Sequence, residues 1–174
     1  MRENKGNITL AHGSGGRLMH DLIKDLFIKN LDNLFLNKLG DSAFIKSGTE
    51  KLAYTTDSFV VKPLFFPGGD IGKLSVCGTV NDLAVSGAMP KYLSCAMIVE
   101  DGFSYADLER ITISMRDACK SAGVNIVTGD FKVVEKGAVD KIFINTSGIG
   151  EVFGNSNLSM LRIKPGDKDR KSVV

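Results

Sequence analysis

The chain has 174 residues, 43% of them apolar, which suits one domain of ordinary size with a real hydrophobic core. Its 22 basic and 20 acidic residues leave a net charge of +2, and the Lys and Arg are not gathered into a stripe, so electrostatics name no nucleic-acid partner. No apolar run reaches the roughly 18 to 20 residues that cross a bilayer, and the start MRENKGN has no apolar signal core, which predicts a cytoplasmic protein with no membrane partner.

After the glycine-rich stretch His12-Gly13-Ser14-Gly15-Gly16, the residues Leu18, Leu22, Ile23, Leu26 and Phe27 recur at helical spacing, predicting an amphipathic helix over about 15–29. Extended segments at 42–46 and 51–61, joined by Ser47-Gly48-Thr49-Glu50, predict a β-hairpin. Pro67-Gly68-Gly69-Asp70 breaks the chain. From Ile71 to Val85 the apolar spacing predicts a well-buried helix that stops at Gly87. A strand at 92–99 follows, then a helix at 104–122 with Ser104 as its cap and Gly123 at its end. Extended structure resumes at 124–127, and a last strand spans 141–152 after a turn at Gly137.

This order predicts an α+β fold in which helices cover one face of a mostly antiparallel sheet. The other face then needs a covering partner, and a homodimer built through the sheet is expected. Residues 1–40 read as a glycine-rich arm and helix, 41–154 as the main domain, and 155–174, with their charged run from Lys168 to Lys171, as the truncated start of a second domain or a tail. Cys77, Cys95 and Cys119 are widely spaced in apolar surroundings and form no CxxC pair, which predicts buried structural thiols. The histidines, His12 and His20, lie far from any cysteine, so a zinc site is not expected.

Asp41, Asp57, Asp82 and Asp130 each sit where an apolar segment meets a turn or helix. Singly, each is an ordinary cap or turn former. Together with the glycine run they suggest a Mg-nucleotide site, because carboxylates converging on a polyphosphate repel it unless hard divalent cations lie between.

Three stretches are far more specific: Thr55-Thr56-Asp57-Ser58-Phe59-Val60-Val61, Phe65-Phe66-Pro67-Gly68-Gly69-Asp70-Ile71-Gly72, and Val80-Asn81-Asp82-Leu83-Ala84-Val85-Ser86-Gly87-Ala88-Met89-Pro90. With Ala11 to Gly16 and Thr128-Gly129-Asp130, they make residues 8–153 resemble the HypE family of hydrogenase maturation proteins. That family lies in the aminoimidazole ribonucleotide synthetase-like, or PurM-like, superfamily, with selenophosphate synthetase and thiamine-phosphate kinase. The resemblance implies a PurM-like N-terminal domain that binds ATP and Mg. It also implies ATP-dependent dehydration of a carbamoyl group on a C-terminal cysteine to a thiocyanate, the source of the cyanide ligand of nickel-iron hydrogenase. The implied partners are a HypF-type carbamoyltransferase and the HypC and HypD scaffold proteins.

By the same resemblance Asp41, Asp57 and Asp82 hold Mg on the triphosphate and Asp130 joins or orients that cluster. His12, Gly13, Ser14, Gly15 and Gly16 form a lid over the nucleotide; Thr128, Gly129 and Asp130 belong to its site; Asn81 is either a phosphate or nucleotide contact or a solvent-facing helix residue. Lys132, two residues beyond Asp130 on the same side of a strand, is assigned to neutralise γ-phosphate charge, with a solvated surface lysine as the alternative. Phe131 stands where the family carries a small polar residue. The chain also ends in Ser172-Val173-Val174 without the Pro-Arg-Ile-Cys-like tail that accepts the carbamoyl group, and no general base is placed. Two other readings stay open: a sister kinase or synthetase of the superfamily, and a domain without turnover that binds nucleotide and docks maturation partners.

Overall fold

The computed structural model describes residues 8–48, 50–154, 158 and 162–168. Most of the segment read as a second-domain start or tail, 155–174, lies outside the described residues. The chain divides into two compact units, one up to Leu39 and one from Gly40 onward.

In the first unit a 3-10 turn, Leu10–Gly13, leads through the glycines to a helix that begins as α1, Arg17–Leu22, and ends as α2, Lys29–Leu31. Between them Ile23–Ile28 is π-helical, a feature that apolar spacing alone does not reveal. Gly15 takes a φ of 76°, a conformation L side chains rarely adopt.

The second unit is built on a five-stranded sheet with strand order β1-β2-β7-β5-β6. Its strands are β1 Ala43–Ser47, β2 Glu50–Phe59, β5 Ala88–Glu100, β6 Asn125–Val134 and β7 Ile142–Val152. A separate two-stranded hairpin pairs β3, Phe65–Phe66, with β4, Gly69–Asp70. Every pairing in the main sheet is antiparallel except β5 with β6, whose crossover is α4, Tyr105–Ala122. The hairpin expected at 42–61 is therefore present, and the sheet is mostly antiparallel as read.

Two strands run longer than their apolar cores. β5 begins at Ala88 and absorbs Pro90 where its register with β7 shifts. β6 continues past Val127 through Gly129, Asp130 and Lys132; an exposed edge strand tolerates glycine and charged residues because only one side of it must pair.

α3, Ile71–Val85, packs on β2, β7 and β5 and beside α4, which also contacts β6. Buried Asp70 caps it, accepting hydrogen bonds from Gly72 N (2.7 Å) and Lys73 N (3.0 Å). A Cβ on Gly72 would stand 2.5 Å from the Ile111 carbonyl oxygen, so glycine is what lets α3 and α4 approach. Ser104 Oγ caps α4 and Gly123, at φ 67°, ends it, as the sequence predicts.

Ile71 and Val76 of α3, Ile111 and Met115 of α4, Leu93 and Val99 of β5, and Ile142 and Ile144 of β7 form one core. β7 alternates strictly, with Ile142, Ile144, Thr146, Gly148 and Gly150 buried beneath the helices. The opposite side of the sheet carries Tyr54, Thr56, Ser58 and Tyr92, all exposed. Both helices thus cover one face and leave the other open.

Candidate functional site

The register of the sheet decides which aspartates meet. Asp57 on β2 pairs with Thr146 on β7, which pairs with Cys95 on β5, which pairs with Gly129 on β6. This row faces the helices: a Cβ on Gly78 of α3 would stand 3.7 Å from Asp57 Oδ2. Beneath α3 a network of hydroxyls with no solvent exposure fastens the helix to β7. Thr79 Oγ1 and Thr146 Oγ1 are 2.6 Å apart, and Thr146 Oγ1 donates to the Ser75 carbonyl at 2.9 Å. That anchorage fixes where α3 carries Asp82 relative to Asp57.

Asp82 lies near the C-terminal end of α3. Its Oδ2 is 3.1 Å from Thr55 Oγ1, and the same hydroxyl is 2.8 Å from the carbonyl oxygen of Asp41, just before β1. The Asp82 carbonyl accepts from Ser86 Oγ at 2.7 Å and Ser42 Oγ at 3.4 Å, tying the helix end to the segment that bears Asp41. Burial first, then the charge of Asp57 and, more weakly, that of Asp41, raise the Asp82 carboxyl above its ordinary value, while the Thr55 hydrogen bond opposes the rise. Asp82 is therefore coupled by charge to both Asp57 and Asp41.

Among the described residues, no three His, Cys, Asp or Glu groups are close enough to hold a metal ion unaided. A wholly oxygen donor set, widely spaced and strongly acidic, fits a hard cation that keeps waters and takes other ligands from phosphate oxygens, the habit of Mg. Asp41, Asp57 and Asp82 are the residues that would hold it.

Asp130 stands apart within the chain. It shares a row with Ala96, Asn145 and Ser58, the row of alternate side-chain direction to that of Asp57, and β6 is three strand spacings from β2, about 14 Å. Lys132 follows on the same side of β6, opposite Ile98, and is exposed. Gly129 and Asp130 instead border a cavity of about 860 Å³ between α4 and the β5–β6 edge, with Cys95, Met97, Met115 and Phe131. This large cavity does not include Asp41, Asp57 or Asp82. Gly129 also has a packing role, since a Cβ there would overlap the Cys95 carbonyl. Thr128 faces Ser94 across the register shift of β5 and β6.

Asn81 is exposed on α3 beside Asp82. In the first unit, His12 Nδ1 accepts the Thr9 N–H at 3.1 Å and lies 3.0 Å from Thr9 Oγ1, so its ring closes the local turn. Gly13, Ser14, Gly15 and Gly16 are exposed, with Ser14 Oγ donating to the Ala11 carbonyl. Two of the three thiols are buried as expected, whereas Cys77 on α3 is only half-buried. Cys95 and Cys119 are buried, burial pushes the Cys95 thiol up to about 11 with a smaller contribution from Cys119, and burial also raises Cys119.

Thr55 was legible only as part of a motif, although its place two residues before Asp57 on one strand puts both on the same face.

Comparison with known proteins agrees with this architecture. Residues 39–152 match the family model of the AIR synthase related protein, N-terminal domain. The chain is 48% identical over 167 residues to the carbamoyl dehydratase HypE of Escherichia coli K12, covering 92% of this chain and 49% of that protein. Among solved structures, HypE in a HypE–HypF complex is 54% identical with a TM-score of 0.77, covering 83% of this chain and 47% of that one. HypE in complex with ATP is 54% identical with a TM-score of 0.60, covering 85% and 44%. The chain spans about half the length of the curated relatives it matches. Since that family model matches residues 39–152, the chain belongs to the AIR synthase related protein family, through that family's N-terminal domain.

Proposed function

We propose that this chain is the Mg-ATP-binding part of a carbamoyl dehydratase of hydrogenase maturation. The observation that carries the reading is the grouping of Asp41, Asp57 and Asp82, with the Asp82 carboxyl raised by burial and by its two acidic neighbours. A relative with 54% identity is seen in complex with ATP, which supports nucleotide as the ligand.

The reaction removes water from an S-carbamoyl group: the thiocarbamate and ATP give a thiocyanate, ADP and phosphate. An amide oxygen is a poor leaving group. Transfer of the γ-phosphoryl to it, with loss of one N–H proton, makes phosphate the leaving group, and loss of the second N–H proton as phosphate departs completes the C≡N bond. Magnesium supplies charge neutralisation on the triphosphate. Asp41, Asp57 and Asp82 bind and orient that ion pair, and the Thr79–Thr146–Ser75 network keeps α3 in place while they do so. His12 to Gly16 are proposed as a flexible cover for the nucleotide, with Asn81 as an accessible polar contact beside Asp82. Lys132 is proposed to neutralise γ-phosphate charge, whereas Asp130, being a carboxylate, would act on phosphate only through a cation and does not reach the ion of Asp41, Asp57 and Asp82 within one chain. The buried Cys95 and Cys119 and half-buried Cys77 are unsuited to accept the carbamoyl group.

The open face of the sheet, with exposed Tyr54 and Tyr92, is proposed as a homodimer surface. A HypF-type carbamoyltransferase is the proposed donor, supported by the HypE–HypF complex, and HypC and HypD the proposed acceptors. A cytoplasmic site of action goes with the proposed role in maturation; among the described residues no helix is long and apolar enough to cross a membrane.

Isothermal titration of the chain with ATP tests the reading. Binding that requires Mg and disappears in the Asp82→Asn variant is expected; no binding with or without Mg overturns it.

A further inference from the structure

The Thr55 hydroxyl touches two of the three acidic segments. It is 2.8 Å from the Asp41 carbonyl oxygen and 3.1 Å from Asp82 Oδ2, and Thr55 is only 6% exposed. Asp41 precedes β1 and Asp82 lies near the end of α3, and the other hydrogen bond between these segments, Ser42 Oγ to the Asp82 carbonyl, is longer at 3.4 Å. Thr55 also sits on β2 two residues from Asp57, so its position is rigidly related to the third carboxylate.

The residue type is informative. A buried strand position facing helices is served as well by Val, which has the same shape and a higher affinity for apolar surroundings. What Val lacks is the hydroxyl. β-Branching holds Thr to few χ1 rotamers, so that hydroxyl points in a fixed direction. Across the sheet Thr55 pairs with Gly148, where a Cβ would collide with Thr79, Leu83 and Leu93; β7 thus lets the end of α3 sink towards Thr55.

We propose that Thr55 is a positioning residue for the cation site: its hydroxyl ties the Asp82 carboxylate to the Asp41 backbone and so sets the spacing of the three carboxylates. It is not itself a ligand. A hydroxyl has one hydrogen for two acceptors, so ion binding decides which of them it serves. With a cation drawing on Asp82, the hydrogen settles on the Asp41 carbonyl and holds that segment in reach.

This inference rests on the proposed Mg-ATP function. Its test is the Mg concentration that gives half-saturation of ATP binding, measured by titration calorimetry on the whole chain, for wild type, Thr55→Val, Thr55→Ala and Thr55→Ser. Loss of the hydrogen bond that holds the Asp41 carbonyl in the ion-bound state predicts a rise of roughly three- to tenfold for Val and Ala. Affinity for ATP at saturating Mg stays within about twofold, and Ser, which restores the hydroxyl, lies within about threefold of wild type. Thermal melting without ligand checks each fold, and Ala stands in should Val fail to fold. An unchanged Mg requirement in Val and Ala overturns the proposal, as does a Ser variant as impaired as Val. A wild-type chain that binds no Mg-ATP overturns the functional reading and this inference with it, whereas a Mg-dependent wild type with an unaffected Thr55→Val removes this inference alone.

Discussion

Replacing Asp82 by Asn separates charge from shape. Asn keeps the volume and an oxygen that accepts from Thr55 Oγ1, so the clamp observed at 3.1 Å survives while one negative charge disappears. In the ligand-free chain that charge is unfavourable, because burial, Asp57 and Asp41 all act against it. Asp82 is largely solvent-screened, so relief of this strain is worth no more than about 1 kcal/mol, and the variant melts at or slightly above wild type. With Mg-ATP the order reverses. At a ligand concentration of 100 times Kd, binding stabilises wild type by about 2.7 kcal/mol, a rise of about 10 °C for a unit of this size. Loss of a charged ligand weakens binding by about 100-fold or more, leaving a rise under about 2 °C for Asp82→Asn at the same concentration. Differential scanning fluorimetry with and without Mg-ATP reads both effects. An equal rise in variant and wild type refutes the assignment of Asp82 to the cation, and a ligand-free melt many degrees below wild type makes Asp82 a residue of the fold instead.

The pH dependence has a defined sign. A carboxyl whose value is raised on folding binds its proton more tightly in the folded chain, so ligand-free stability falls as pH rises from the ordinary value of 3.8 through the raised folded value. Denaturant titrations across that window show this loss in wild type, and the Asp82→Asn variant lacks that component. Gly72→Ala, which drives a Cβ against the Ile111 carbonyl, costs about 1–3 kcal/mol by urea unfolding, because both helices must shift apart. Iodoacetamide at pH 8 labels Cys95 and Cys119 far more slowly in the folded chain than in urea, since both are buried and the Cys95 thiol titrates only near 11.

The parts of the fold that read directly from the sequence are those where periodicity and punctuation agree. α3 spans Ile71–Val85 as its spacing dictates, and α4 runs between a Ser104 cap and a glycine at positive φ. The ends of β5 and β6 did not read, because Pro90, Gly129 and Asp130 have turn-forming chemistry that a register shift and an exposed edge override. The π-helical turn at Ile23–Ile28 left no mark, since its apolar residues fit an α-helical stripe equally well.

For the site, motif spacing brought Asp41, Asp57 and Asp82 into view, yet strand register is what relates them. The register also separates Asp130, whose distance from Asp57 depends on β7 and β5 lying between β2 and β6, an order that crosses the chain and is invisible in local sequence. Thr55 was hidden for a simpler reason. A threonine in a strand is ordinary, and only the approach of α3 and the Asp41 segment from elsewhere in the chain gives its hydroxyl two partners.

The account stands on one cation held by three acidic side chains. Crystals grown with Mn in place of Mg and a non-hydrolysable ATP analogue give an anomalous difference map that marks the metal directly. The account predicts a peak bridging analogue phosphate and the carboxylates of Asp41, Asp57 and Asp82; a peak confined to other residues, or none beside a bound analogue, contradicts it.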